Sequence, residues 1–478
     1  MRCPSCSQEI PINQQYCPFC GKRVDVDFDE IQKSVIYDAS QRRGHLLETV
    51  LINVIGGLVV LWVGIKLYNG YCHQETFPAD RSGALAFSAP APDAKSEGRL
   101  TPEIKPPVAP MPEIDRLEPR GMSWRRDPFR EELRRAGAGA YAGEAAAAVA
   151  NGLKYLAGRQ QPDGCWLIAG TEELGLATND WGRCGVTALA CLAFLGDGHV
   201  WDADPKDPYA QTVRRGINYL TVNQDAKSGR IGPKEGAGGI AAHYTYNQGM
   251  ATAALAEAYA MTGDPYLHAA AQKAVNYVVG TQQKSGGWDY YETPSTRADS
   301  SVTVWQLMAL YSGQQAGLEV PAAVFEKGLA FIDSMTDPET FRVGYDRTWS
   351  PAERVGQGST AIGLMLQLYL GRSASSAPVR RQARILMGES APEYDPKWPA
   401  DVKAEKLDYY YLYHATMAFQ RLGGTEWETW NKRLVKTLQA LQDKNGCWPI
   451  YDKWGKAGGK SFTTAMAVLT LEVYYRYQ

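Results

Sequence analysis

The sequence predicts an all-α fold in which about six helical hairpins close into a ring, and three observations carry that prediction. A motif recurs through the C-terminal two-thirds of the chain at a spacing of roughly 55 residues, the mark of a repeat architecture. Each copy ends a helix whose apolar residues return at three- and four-residue steps. Between the copies lie helices that are apolar nearly all round, and such helices must be enclosed by others.

The copies are read directly. Asn151 to Trp166 is NGLKYLAGRQQPDGCW, Lys273 to Trp288 is KAVNYVVGTQQKSGGW, and Arg433 to Trp448 is RLVKTLQALQDKNGCW. Arg214 to Gly232 lacks the Trp, and Glu326 to Met335 keeps only the helical half. A Gln near the helix end precedes a Gly turn, so Gln is expected to satisfy freed backbone groups and Trp to pack back on a neighbouring hairpin. The intervening segments, GVTALACLAFLG, QGMATAALAEAYAMTGD, SVTVWQLMALYSG, STAIGLMLQLYLG, YYLYHATMAFQRLGG and SFTTAMAVLTLEVYY, mostly end in a Gly signal. Polar outer helices alternating with apolar inner ones give a double ring over residues 140–478, an α/α toroid.

The repeat resembles the Gln-Trp repeat of squalene and hopene cyclases. Lys273, Ala274, Tyr277, Val278, Gln282, Gly286 and Trp288 match it throughout; Gly152, Tyr155, Leu156, Gln160, Gly164 and Trp166 match all but the basic position. A looser resemblance reaches protein prenyltransferase β subunits and complement-like thioester domains. These resemblances imply the toroid; activity has to be read from the site. The cyclases' D-x-D-D acid is answered only by Asp202-Ala203-Asp204-Pro205, which reads as a solvated loop. The prenyltransferases' zinc-binding Asp-x-Cys is met only by Asp180 and Cys184, four residues apart, and Gly-Cys-Gly-Glu-Gln is absent.

The N-terminus is organised differently. Four of the nine cysteines, Cys3, Cys6, Cys17 and Cys20, form two C-x-x-C knuckles in residues 1–25. Four thiolates close a tetrahedron around zinc and leave no open position, so the expected zinc is structural. The pattern resembles the small zinc ribbons that open many bacterial membrane proteins. After a juxtamembrane segment (26–45), residues 46–68 are apolar over about the length that spans a bilayer. Lys33, Arg42 and Arg43 precede the span and Lys66 alone stands near its far end. Positive charge stays inside, which predicts a single-pass inner-membrane protein with a cytoplasmic ribbon and a periplasmic toroid. Residues 69–139 form a Pro/Ala-rich stalk.

A net charge of −2 gives no electrostatic case for nucleic acid. The expected ligand of the toroid is an isoprenoid, a glycan or a protein segment. Residues just before the inner helices should line the ring's mouth: Asp180, Trp181, Tyr244, Asn247, Arg297, Asp408 and Tyr410. Asp299 reads first as a helix cap. His243 and Tyr246, in the stretch His243-Tyr244-Thr245-Tyr246-Asn247, are the acid–base candidates, with Asp299 beside them. The leading expectation is a ligand- or partner-binding module without catalysis. The alternative is an enzyme, either a divergent terpenoid cyclase or prenyltransferase-like protein or a toroidal polysaccharide lyase. Cys165 and Cys447 hold equivalent Gly-Cys-Trp positions and are expected as packed thiols, with a disulfide as the alternative; Cys184 and Cys191 read as core.

Overall fold

The computed structural model describes residues 122, 142–168, 182–202, 204–232, 244–290, 292, 297–346 and 357–476. The zinc ribbon, the span, the stalk other than Met122, and Asp180, Trp181 and His243 lie outside them. Met122 is buried in the toroid's core. Among the described residues no helix is long and apolar enough to cross a membrane. No group of three His, Cys, Asp or Glu among them could hold a metal.

Fourteen helices are described: α1 Ala142–Ala157, α2 Arg183–Gly196, α3 Ala210–Val222, α4 Tyr244–Thr262, α5 Pro265–Gly280, α6 Ser300–Gln315 and α7 Ala322–Met335. They continue as α8 Gln357–Tyr369, α9 Ala377–Glu389, α10 Ala400–Lys406, α11 Tyr409–Leu422, α12 Gly424–Leu441, α13 Lys453–Leu471 and α14 Val473–Arg476. Among the described residues the β pairing consists of two isolated bridges, Gln224–Ile231 and Thr336–Val343. The inner helices pack in the order α2, α4, α6, α8, α11, α13, and α13 returns to α2. Outer helices α1, α3, α5, α7, α9 and α12 each pack on an inner neighbour, and α12 meets α1. Six hairpins therefore close the double ring, as the repeat predicts.

The two rings differ as their sequences require. Along α3 only one stripe is buried, through Val213, Gly216, Ile217 and Leu220, which is the spacing of a single helical face. Along α6 nearly every side chain is buried, Ser300 to Gly313 without a break. Thr, Ser and small residues let such a helix be surrounded, because the hydroxyls of Thr and Ser find backbone partners. Thr303 is one instance, its Oγ1 accepting from the Trp288 amide at 2.9 Å.

The repeat motif is a staple between hairpins. Gln160, at the end of α1, donates to the Gly164 carbonyl at 3.0 Å and to Thr212 of α3 at 2.9 Å. Gln224 reaches Ala270 of α5, Gln282 reaches Val324 of α7, and Gln442 reaches Ala148 of α1. The Gln thus binds the next outer helix as well as its own turn, and Gln442 joins the last hairpin to the first. The motif Gly has positive φ, 95° at Gly164 and 92° at Gly286. Its Cα also lies against the next outer helix: a Cβ on Gly286 would stand 2.2 Å from the Lys327 carbonyl oxygen. The Trp indole donates back to its own helix, Trp166 to Leu156 at 2.7 Å and Trp288 to Val278 at 2.8 Å.

Two ends of the ring differ. At the C-terminal ends of the inner helices Arg476 plugs the interior. It pairs with Glu257 at 3.0 Å and donates to the Leu192 carbonyl at 2.9 Å, both side chains being almost wholly buried. Midway, Trp305 stacks on Tyr413 at 5.9 Å, and His414 packs against both rings. Burial lowers the His414 pKa to about 4, so it is a neutral core residue. The opposite end is open.

Candidate functional site

Each inner helix needs its first N–H groups satisfied, and three aspartates do this at the open end. Asp299 caps α6, accepting from Ser301 at 2.8 Å and Val302 at 3.2 Å. Asp408 caps α11 through Tyr411 at 3.0 Å, and Asp452 caps α13 through Trp454 at 2.7 Å and Gly455 at 2.9 Å. Converging helix N-termini bring partial positive charge to one place. They also bring carboxylates to this end of the ring.

The mouth is a cavity of about 810 Å³. Its aromatic walls are Tyr290, Tyr345, Tyr410, Tyr411 and Trp454; its ionisable groups are Arg297, Asp346, Glu405, Asp408 and Lys453. Arg297 stands over the Tyr290 ring at 5.0 Å and is held by Asp289, with Asp346 at 3.6 Å and Asp299 at 3.9 Å. The Tyr290 and Tyr345 hydroxyls bond one another.

Four residues singled out from the sequence meet here around Ser301. The Tyr246 hydroxyl bonds Ser301 Oγ at 2.5 Å, Tyr410 donates to the Ser301 carbonyl at 2.8 Å, and Ser301 Oγ donates to Asp299 at 2.5 Å. Arg297 borders the same cluster. Burial, with the nearby Asp299 charge, pushes the Tyr246 and Tyr410 phenols well up, so both stay protonated. Burial also raises the Asp299 carboxyl, while hydrogen bonds from Ser301, Tyr345 and Tyr290 offset part of that rise.

Asp408 has the stronger shift. Burial and the charge of Asp452 push its carboxyl up to about 7, against donors at Tyr411 and Tyr410 and the charge of Lys453. Burial raises Asp452 too, although it accepts from the Gly455, Trp454 and Tyr409 backbone. Its reach to Tyr409 places the carboxyl of one cap against the start of the neighbouring inner helix, beside Asp408.

A second space of about 80 Å³ adjoins this mouth and shares Tyr410 and Trp454 with it. Asn247 and Tyr246 line that niche rather than the mouth. Tyr244 opens α4, and its side chain lies outside the described set, as does His243. Asp202 and Asp204 are exposed, as a solvated loop requires. Cys165 and Cys447 are buried thiols, as are Cys184 and Cys191 in the core. The last inner helix, α13, begins at Lys453 and kinks at Gly459 (φ 77°), and Lys453 and Trp454 at its start line the mouth. Sequence reasoning missed Tyr290, Tyr345, Asp346, Asp452 and Trp454. A signal existed for two of these: Tyr290 lies two residues after the motif Trp288, and Tyr345 two after Val343, which replaces the Trp.

No family model and no curated protein matches the chain. Solved structures do resemble it. A cellobiose 2-epimerase from Spirochaeta thermophila is 16% identical with a TM-score of 0.49, covering 73% of this chain and 98% of its own. A type II terpene cyclase from Scytonema, in complex with merosterolic acid A, is 13% identical with a TM-score of 0.46, covering 70% and 97%. An inactive variant of an α-1,6-mannanase of Salegentibacter, in complex with α-1,6-mannotriose, is 10% identical with a TM-score of 0.46, covering 69% and 99%.

Proposed function

We propose that the toroid binds a hydroxyl-rich ligand, an oligosaccharide, in the cavity at its open end. The observation that carries this reading is the mixed lining of that cavity. Aromatic faces such as Trp454 and Tyr410 suit the apolar C–H faces of sugar rings. Arg297, Asp346, Glu405 and Lys453, interleaved with them, suit hydroxyl donors and acceptors. The volume of about 810 Å³ falls within the usual range for small-molecule sites, about 300 to 1,000 Å³. The apolar niche, at about 80 Å³, falls far below that range and has no room for an isoprenoid chain. In the same proposal the toroid is periplasmic, anchored by residues 46–68, and Cys3, Cys6, Cys17 and Cys20 hold a structural zinc in the cytosol.

Asp408 favours a second reading, catalysis on the same glycan. A carboxyl held near neutrality at the edge of a cavity can donate a proton to a leaving oxygen. The test is a glycan-binding panel with the detergent-solubilised full-length chain. Oligosaccharides are expected to bind, Trp454→Ala should weaken them about tenfold, and no binding across the panel overturns the reading. New reducing ends that vanish in Asp408→Asn, with binding retained, would establish the catalytic form.

A further inference from the structure

The niche behind the mouth has features the glycan reading does not use. Its walls are the apolar side chains of Ile168, Val186, Leu189, Met250 and Phe462. Tyr246 and Tyr410 add ring faces only, because both hydroxyls are already bonded at Ser301. Among the described residues Asn247 is the one side-chain amide in the lining. Such a space holds roughly two to three water-sized groups but offers water few partners, and a dry apolar cavity is filled best by an apolar group. Tyr410 and Trp454 belong to both spaces, so a ligand in the mouth lies beside the niche.

We infer that the niche takes the acetyl group of an N- or O-acetylated sugar bound in the mouth, which makes it the specificity-determining subsite of the glycan cavity. This rests on the glycan reading and narrows it. The methyl fits the apolar walls, and the ester or amide that carries it faces the polar side, where Asn247 stands. A free hydroxyl in its place would leave the niche unfilled, and a hexose ring would not enter it.

The test uses matched sugars with the detergent-solubilised full-length chain: tetraacetylchitotetraose against cellotetraose, which differ at the acetamido groups, and acetylated against deacetylated manno- and xylo-oligosaccharides. An acetylated member should bind at least about tenfold more tightly than its partner, the discrimination a small apolar pocket provides. Met250→Phe, which fills the niche from α4, should bring the acetylated member down to the level of its partner. Val186→Ile, which adds one methylene from α2, should give an intermediate loss, and melting curves of both variants establish that they fold. Equal binding of acetylated and unacetylated sugars overturns the subsite and leaves the glycan cavity standing. A preference that survives both fillings also overturns the subsite. No binding of either kind overturns the glycan reading itself.

Discussion

Asp408 and Asp452 show how a residue chosen to cap a helix acquires a second property from its neighbours. Each is placed by the backbone N–H groups it accepts, and a lone capping carboxylate is ordinarily held ionised by such bonds. Here two caps stand on adjacent inner helices: burial and the charge of Asp452 push Asp408 up to about 7, and burial raises Asp452 as well. Such a pair titrates as a unit. The sign follows from linkage. The folded chain holds the proton more tightly than the unfolded chain, so this contribution is fully present below about pH 4 and is lost as pH rises through about 7. Asn at position 408 keeps the cap and removes the charge. The stability of Asp408→Asn relative to the parent should therefore rise between pH 5 and pH 8 by about 2 to 3 kcal/mol. Urea midpoints across that range check it, and parallel curves for the two proteins would refute the shared proton.

At the scale of elements, the Gln–Gly–Trp turn decides how hairpins stack. Gly286 combines a φ of 92° with an approach to Lys327 that leaves no room for a Cβ. Gly286→Ala therefore meets two penalties, backbone strain and a clash with main-chain atoms, and should destabilise the chain by about 3 kcal/mol or more. Gly388→Ala, at a position with open space around it, should cost nothing comparable. Equal melting temperatures for the two would contradict the stapling role. This element was legible because it is local: a helix end, a turn former and an indole lie within a dozen residues, and their spacing repeats. The six hairpins followed from it. Phe341 marks the limit, since it occupies the motif Gly position of the fourth hairpin at φ 63° and hides that copy. Helix α10 also escaped, because none of its seven residues is buried and no apolar period announces it. The mouth was half legible. Arg297, Asp299, Asp408 and Tyr410 precede or begin inner helices and could be picked by position. Asp452 and Trp454 could not, because the glycines 455, 458 and 459 disguise the start of α13. That Asp408 and Asp452 are neighbours depends on ring closure, which no single hairpin encodes.

The whole molecule poses a question of sidedness that the ring alone does not answer. A cavity suited to glycans is useful where glycans are, and the charges flanking residues 46–68 put the toroid there by proposal: Lys33, Arg42 and Arg43 precede the span, against Lys66 alone near its far end. The cysteines agree with this direction. Four thiolates ligate zinc only while reduced, as the cytosol keeps them, whereas the four described cysteines of the toroid, Cys165, Cys184, Cys191 and Cys447, are buried. One experiment tests both halves of the arrangement. Protease added to spheroplasts should reach the Pro/Ala-rich stalk of residues 69–139 and release the toroid, leaving a membrane-bound fragment that carries residues 1–68. That fragment, isolated from the washed membranes, should contain one zinc per chain, and Cys17→Ser should lose it. Protection of the toroid from protease would reverse the topology. A metal-free fragment on the protected side would keep the topology and remove the zinc site.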